Sequence, residues 1–213
     1  MNNLEEISLL VKGCTDCQLA KGRTNAVPGE GDSQAELMFI GEGPGYHEDR
    51  FGRPFVGPAG QLLDNLLKSI GMQREDVFIA NMVKCRPPKN RDPLPAEMSA
   101  CMKYLDRQIE LINPKLIVTL GRFSLSRFFP GESITSVRGK LREKDGRNVF
   151  PIMHPAAALH RQELRSAIVD DFMEIPRVLG KLDRRGAKSV ESPQLDSQRE
   201  IDTPAQQLSL FPL

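Results

Sequence analysis

The chain has 213 residues, of which 39% are hydrophobic and 27% are charged, and its formal net charge is +1. This length accommodates one globular domain of ordinary size plus an additional segment. The near-zero net charge excludes a global basic field, so affinity for nucleic acid would have to come from local patches. No apolar run approaches the ~18 residues of a membrane span and the start does not resemble a signal peptide, so we expect a soluble, cytoplasmic protein without a membrane partner.

The first segment, residues 2–12, has apolar residues at helical spacing and leads directly into Cys14. Cys14, Cys17, Cys85 and Cys101 are the four cysteines of the chain, and in a cytosolic protein such cysteines are rarely structural disulfides. The Cys14-x-x-Cys17 pair is typical of a metal site, but the spacing from Cys85 to Cys101 is not that of a zinc ribbon. The spacing favours a four-cysteine metal site over unrelated buried thiols. It leaves an iron–sulfur cluster and zinc both open.

A short apolar run at residues 37–40 predicts a buried strand, and the glycine-rich loop 41–45, GEGPG, follows it. Glycines let the backbone approach a ligand closely, and Glu48 and Phe55 come soon after. The alternatives are a plain strand-to-helix connection and a phosphate loop, but the latter lacks Gly-Lys-Ser/Thr. The pattern suits a neutral ligand beyond the carboxyl end of the strand.

A helix is predicted at 61–70 and a second strand at 77–80, which ends at Asn81. Asn81 is either a turn residue or a reader of a base edge, because an amide offers both a donor and an acceptor. The basic loop 84–91, with Arg86 and Lys89, is either a solvated loop or a phosphate contact.

The second half continues the alternation of helices and strands. Helices are predicted at 96–112, 122–129 and 167–179, strands at 116–121 and 149–153, and a second basic segment, with Arg138 and Arg142, at 136–147. His154 follows the last strand, where it is either structural or catalytic. The order predicts an α/β fold of three layers, α/β/α, around a central, mostly parallel four-stranded sheet. This domain spans residues 1–180, and the composition of 181–213 predicts a flexible tail.

These features together resemble one family, the bacterial and archaeal uracil-DNA glycosylases of family 4, which carry an iron–sulfur cluster. GEGPGYHEDRFGRPFVG at 41–57 resembles the first motif of that family, Asn81 matches its base-reading asparagine, and His154-Pro155-Ala156-Ala157 resembles its second motif. The four cysteines fall where the family has its [4Fe–4S] ligands. The resemblance covers residues 14–179 and implies a monomeric enzyme of the bacterial cytosol or nucleoid that acts on single- or double-stranded uracil-containing DNA.

The resemblance implies a role for each site residue. Uracil would be flipped out of the DNA and its N-glycosidic bond hydrolysed, which leaves an abasic site. His154 would stabilise the developing negative charge on the base, and Glu42 would position water and oppose the cationic sugar. The uracil-binding residues would be Gly41, Glu42, Gly43, Glu48, Phe55, Asn81 and His154, with Glu48 excluding the methyl group of thymine. DNA would be contacted by Arg86, Lys89, Arg138, Arg142, Ala157 and Arg161.

Some residues depart from the family pattern. Tyr46 and His47 replace residues that are commonly acidic, and Leu141 stands where many members have an aromatic residue. A related branch cross-links to uracil through a histidine in an inserted basic loop, and none of the three histidines here lies in such a loop. We therefore expect turnover, with a non-catalytic or cross-linking uracil-DNA-binding protein as the alternative.

The tail ends in an apolar cluster, Gln207-Leu208-Ser209-Leu210-Phe211. It resembles the short peptide by which bacterial repair proteins bind the β sliding clamp, with Gln207, Leu208, Leu210 and Phe211 as the contacts. The alternative is that these residues fold back on the domain, because isolated short motifs mislead.

Overall fold

The computed structural model describes residues 1–188 of the chain, with side chains described up to residue 184. Within this part, one sheet has six strands in the order β1-β3-β2-β4-β6-β5. The strands are β1 Glu30–Gly31, β2 Leu37–Gly41, β3 Phe78–Asn81, β4 Leu116–Leu120, β5 Arg142–Lys144 and β6 Arg147–Ile152. The predicted clamp-binding peptide lies outside the described residues.

The predicted sheet of four strands requires a correction. The four predicted strands are the inner ones, β3, β2, β4 and β6, and they pair in parallel. Two short strands were missed, β1 and β5, which pair antiparallel at the two edges. The β5–β6 turn contains Asp145 and Gly146, both at positive φ, so its Asp-Gly pair was a recognisable hairpin signal.

Helices cover both faces of the sheet and form the predicted three layers. Alternate residues of each strand face opposite sides: Leu37 and Phe39 pack in one core, Met38 and Ile40 in the other. The helices are α1 Leu4–Gly13, α2 Leu19–Gly22, α3 Tyr46–Phe51, α4 Pro58–Ser69, α5 Pro95–Ile112, α6 Arg122–Phe128, α7 Ile134–Val137, α8 Ala156–His160 and α9 Leu164–Lys188. Helices α4, α8 and α9 pack on the first face, α5 and α6 on the second.

The last helix is longer than the sequence predicts. Helix α9 continues to Lys188, beyond the predicted helix end at 179 and into the predicted tail. Pro176 lies inside it. Buried Phe172 of α9 stacks on Phe39 of β2, with ring centroids 5.7 Å apart, so this helix closes one face of the central strand. In residues 1–188 no helix is both long and apolar enough to cross a membrane.

Candidate active site and cysteine cluster

A cavity of about 560 Å³ opens at the carboxyl ends of β2, β3 and β6. Parallel strands place the loops that follow them at one edge of the sheet, which is the usual ligand position in such folds. The structure brings most of the predicted base-binding residues to this cavity, which is lined by Glu42, Gly43, Glu48, Phe55, Asn81 and His154. Gly41, the last residue of β2, lies directly behind the side chains of Asn81 and Phe55.

Gly41 makes room for two of these side chains. A Cβ at this position would lie 2.4 Å from Asn81 Oδ1 and 2.7 Å from the Phe55 ring. Asn81 is 2% exposed, and its Oδ1 has no hydrogen-bond partner among residues 1–188. An unsatisfied buried acceptor costs about 1–3 kcal/mol, so this atom is expected to accept a hydrogen bond from a bound ligand.

Phe55 and His154 form one wall of the cavity as an aromatic pair. Their ring centroids are 5.5 Å apart and the planes differ by 27°. Phe55 has φ 51°, in the left-handed region that non-glycine residues rarely adopt. Such strain persists only where the surroundings impose it, and it is concentrated at functional sites.

Arg74 supports the backbone at this strained residue, and sequence reasoning missed it. Its guanidinium donates to the carbonyl oxygens of Phe55, at 3.0 Å, and Pro54. Glu30 and Asp64 hold the guanidinium in place with bonds of 2.6 and 2.9 Å. No local motif marks such a residue, because its partners are distant in sequence.

The hydrogen bonds of His154 fix its tautomer. Its Nδ1 accepts the backbone N–H of Ala156 at 3.1 Å, so the proton of the neutral ring is on Nε2. Burial lowers the pKa of His154 to about 4, although the charge of Glu48 opposes this shift. At neutral pH the ring is therefore an uncharged hydrogen-bond donor.

Glu42 and Glu48 have different environments. Burial, with the nearby charge of Asp92, raises the pKa of Glu42, and Arg122 partly opposes the change. Glu48 accepts hydrogen bonds from the backbone of Val56 and Gly57 through Oε1, and from Gly45 through Oε2. Its carboxylate thus ties the glycine turn before α3 to the end of the loop that carries Phe55, a role that the sequence did not indicate.

The four cysteines come together between α1 and α5. Cys85 and Cys101 are buried in one apolar cluster, and Cys14 and Cys17 pack against it as free thiols. Burial raises the pKa of Cys101 to about 11 and also raises that of Cys85. Two N–H groups point at sulfur: Arg23 donates to Cys85 Sγ at 3.0 Å, and the backbone of Lys84 to Cys101 Sγ at 3.4 Å.

No three of the described Cys, His, Asp and Glu side chains are arranged to bind a single metal ion. A wider group with one thiolate ligand at each corner, such as an iron–sulfur cluster, needs less convergence than one ion. The N–H donors to sulfur also fit a cluster, because such bonds tune its potential. The residues present therefore fit a four-thiolate cluster.

The predicted DNA contacts divide into two groups. Arg86 and Lys89 lie in the loop whose Pro87, Asn90 and Arg91 line the cavity. Ala157 belongs to α8 and Arg161 caps its end, and from this helix Ala156, Leu159 and His160 line the cavity. Leu159 is an apolar side chain at the mouth and 49% exposed.

The second basic segment, with Arg138 and Arg142, lies outside the cavity. Arg138 forms a salt bridge of 2.8 Å with the buried carboxylate of Asp171 on α9, and Arg142 pairs with Glu132 while its guanidinium covers the ring of Phe129. Neither lines the cavity. Both arginines are thus paired with carboxylates of the same chain, and their contact with DNA stays a prediction.

Lys84 corrects the prediction for the first basic loop. It is 1% exposed and donates to the carbonyl oxygen of Asn81 at 3.0 Å and to Gln108 Oε1 at 2.7 Å. Burial lowers its pKa to about 8. Lys84 therefore supports the end of β3 from inside the protein and does not face solvent.

Comparison with known proteins places this arrangement in a family. A family model described as the uracil DNA glycosylase superfamily matches residues 28–174. A type-4 uracil-DNA glycosylase of Sulfurisphaera tokodaii is 54% identical, covering 82% of this chain and 84% of the relative. The type-4 enzyme of Saccharolobus solfataricus is 51% identical, covering 84% of this chain and 88% of the relative. The type-4 enzyme of Archaeoglobus fulgidus is 46% identical, covering 85% of this chain and 96% of the relative. The chain therefore belongs to the uracil-DNA glycosylase superfamily.

Proposed function

We propose that this chain is a DNA-repair enzyme that removes uracil from DNA and leaves an abasic site, and that the cavity binds the flipped uracil. The observation that carries the proposal is the buried Asn81 Oδ1, which lacks a partner within residues 1–188 and lies beside the Phe55–His154 pair. The N3–H of uracil supplies the donor that this oxygen needs. Cytosine has no proton at N3, so its binding would leave the oxygen unpaired at a cost of about 1–3 kcal/mol.

The roles in bond cleavage that we propose fall to residues that line the same cavity, the Phe55–His154 pair and Glu42. Phe55 stacks on the flipped base, an interaction worth about 1–3 kcal/mol. As the N1–C1′ bond breaks, negative charge develops on the uracil, and Nε2–H of His154 donates to it. A neutral donor needs no proton transfer for this role. The Glu42 carboxylate orients the attacking water and opposes the positive charge on the sugar.

Glu48 acts first through the loop, since its carboxylate is bound to three backbone N–H groups. These bonds fix the spacing between the glycine turn and Phe55. We expect this rigid loop, with Glu48, to exclude a methyl group at C5 of the base. Exclusion of thymine is measured by comparing excision from U:G and T:G duplexes.

For the DNA strand, we assign contacts to Arg86, Lys89 and the α8 region with Ala157 and Arg161. The exposed Leu159 at the cavity mouth fills the gap that the flipped nucleotide leaves in the stack. Apolar wedges of this kind are common where proteins unstack a base step.

A [4Fe–4S] cluster bound by Cys14, Cys17, Cys85 and Cys101 completes the proposal. When bound, such a cluster supplies a redox-active centre and joins two thiolates of the N-terminal segment to two thiolates of the domain. The purified protein should be brown, with broad absorption near ~400 nm from thiolate-to-iron charge transfer. Cys85→Ser should lower solubility. A colourless protein that contains one zinc would contradict the cluster.

The activity test uses single-stranded DNA with one uracil, followed by alkali. Strand breaks at uracil establish turnover, whereas retention of the DNA without breaks indicates a non-catalytic binding protein. A covalent protein–DNA product that survives denaturation indicates cross-linking. The matched control is the same oligonucleotide with cytosine in place of uracil.

Binding to the β sliding clamp through Gln207, Leu208, Leu210 and Phe211 is a separate proposal that rests on the sequence alone. Burial of a Leu or Phe side chain contributes about 1.5–3 kcal/mol, less the cost of ordering the segment. A peptide of residues 203–213 should bind a bacterial clamp weakly in a titration. No binding at high micromolar peptide would rule this role out.

A further inference from the structure

Tyr46 lies at the mouth of the cavity with two arginines around its ring. It is 47% exposed and lines the cavity. The guanidinium carbon of Arg86 is 5.1 Å from the ring centroid and that of Arg50 is 5.9 Å away. Arg50 also donates to Tyr46 Oη at 3.2 Å. One aromatic side chain at the mouth thus lies next to two cations, one from α3 and one from the loop after β3.

Arg86 is fixed at a second point. Its Nε donates to Asn90 Oδ1 at 2.7 Å, and Asn90, at φ 54°, itself lines the cavity. The side chain is thereby held by its Nε and by the tyrosine ring, which leaves its terminal nitrogens available. A long side chain that is already ordered loses less entropy when it binds a ligand.

Neither arginine has an acidic partner in the part of the chain that the structure describes. Arg53, Arg91 and Arg122 do have one: they pair with carboxylates at 2.7, 2.7 and 2.5 Å. Two guanidinium groups held near one ring repel each other, and an anion between them removes this repulsion. Guanidinium groups bind phosphate oxygens well because their planar donors match the phosphate geometry.

We propose that Arg50 and Arg86, oriented by Tyr46, form a clamp for a backbone phosphate pair next to the flipped nucleotide. The inference rests on the proposed function, because it takes the ligand to be the DNA strand that enters the cavity. It adds two residues, Tyr46 and Arg50, to the DNA-binding surface and assigns Tyr46 a positioning role. A base stacked on Tyr46 is the competing arrangement, in which the base would have to share the ring with Arg86.

The test measures binding apart from catalysis. Fluorescence anisotropy gives the Kd for a labelled single-stranded oligonucleotide with a tetrahydrofuran abasic site at several KCl concentrations. For single strands, log affinity falls with log salt by about 0.7 per phosphate contact, so the double variant Arg50→Ala/Arg86→Ala should flatten the slope by roughly 1.4. Tyr46→Ala should weaken binding. Tyr46→Phe, which keeps the ring but not the hydroxyl, should restore most of it.

Arg184→Ala is the matched control for the loss of a cation. Its neighbour Asp183 bonds to Lys115 at the start of β4, which places Arg184 at the sheet edge opposite the cavity. This variant should keep the wild-type affinity and slope. Thermal unfolding of every variant checks that the fold is intact.

Two outcomes would overturn the clamp. If the double variant keeps the wild-type slope and affinity, the arginines are only solvated. If Tyr46→Ala weakens binding while the double variant keeps the slope, the ring stacks on a base. Uracil release by the wild type, measured separately, tests the proposed function: a chain that excises uracil but shows unchanged slopes loses only the clamp.

Discussion

At the scale of single residues, two atoms determine what the cavity can do. Asn81 Oδ1 is a buried acceptor that has no partner among the described residues, and it selects a base with a proton at the facing position. His154 Nε2 is a neutral donor, because Nδ1 is bound to the backbone of Ala156. Asn81 is the last residue of β3 and His154 follows the end of β6, so replacement of their side chains leaves the strand pairing intact.

Asn81→Ala and His154→Ala should each lower the single-turnover rate of uracil excision by at least ~100-fold, the effect of losing one transition-state donor. Asn148→Ala is the control. Asn148 lies near the start of β6, outside the cavity, and donates to the carbonyl oxygen of Lys115. Near-normal rates in both cavity variants would mean that the site has been assigned wrongly.

The depressed pKa of His154 predicts a pH dependence of stability. The folded value of about 4 lies below the ordinary 6.5, so the unfolded chain takes up this proton first as the pH falls. Above the ordinary pKa, His154 contributes no pH dependence to stability. As the pH falls from the ordinary value towards the folded value, the free energy of unfolding decreases. Urea unfolding at neutral and mildly acidic pH should therefore show a larger loss for wild type than for His154→Asn. An equal loss in both would refute the shift.

At the scale of elements, the loop between α3 and α4 needs support from outside itself. Glu48 bonds to the backbone at the carboxyl-terminal end of this loop and to Gly45 before α3, and Arg74 bonds to two carbonyl oxygens in the middle of the loop. Gly60 of α4 lets the helix approach, since a Cβ there would lie 1.8 Å from the carbonyl oxygen of Phe55. The strained Phe55 is therefore presented by three separate elements.

Arg74→Gln should weaken binding of free uracil about tenfold, which corresponds to a loss of ~1.4 kcal/mol from a relaxed Phe55. Inhibition of excision by free uracil measures this effect. The control is Arg53→Gln, because Arg53 shares Glu30 with Arg74 but is mostly exposed and bonds to no loop carbonyl. If both variants weaken uracil binding equally, the effect comes from Glu30 and not from the carbonyl contacts.

At the scale of the whole molecule, the cavity and the cysteine cluster share one segment. Asn81 ends β3, and Cys85 follows four residues later in the chain. Lys84, between them, joins the end of β3 to Gln108 of α5, which also carries Cys101. Helix α1 packs on α5 beside the cysteines, so the N-terminal segment is attached to the element that supports the base-reading asparagine.

A chain truncated after Ser197 should retain full excision activity on short oligonucleotides. All residues that line the cavity precede α9, and the family match ends at residue 174. Excision rates on a short uracil-containing oligonucleotide, compared with the full chain, measure this. A clear loss of activity in the truncated chain would show that the tail contributes to catalysis or to DNA binding.

The sequence by itself determined the parts of this protein that depend on local pattern. Apolar runs bounded by glycine and polar residues predicted the four parallel strands, and the residues that follow them had to meet at one edge. That geometry placed Asn81 and His154 at the same sheet edge as the glycine loop, and the family resemblance assigned them, with Glu42, to one site. The edge strands were missed, because segments of two and three residues show too few positions for an alternating pattern.

Only the tertiary structure decided which charged side chains face solvent. Lys84, Arg138 and Arg142 belong to basic segments in the sequence. In the structure Lys84 is buried, Arg138 pairs with Asp171, and Arg142 pairs with Glu132. The contacts of Arg74 with the loop carbonyls and the backbone conformation of Phe55 also became visible only in the tertiary structure. A charge is free or neutralised according to partners that are distant in the chain, and no local periodicity encodes where those partners will lie.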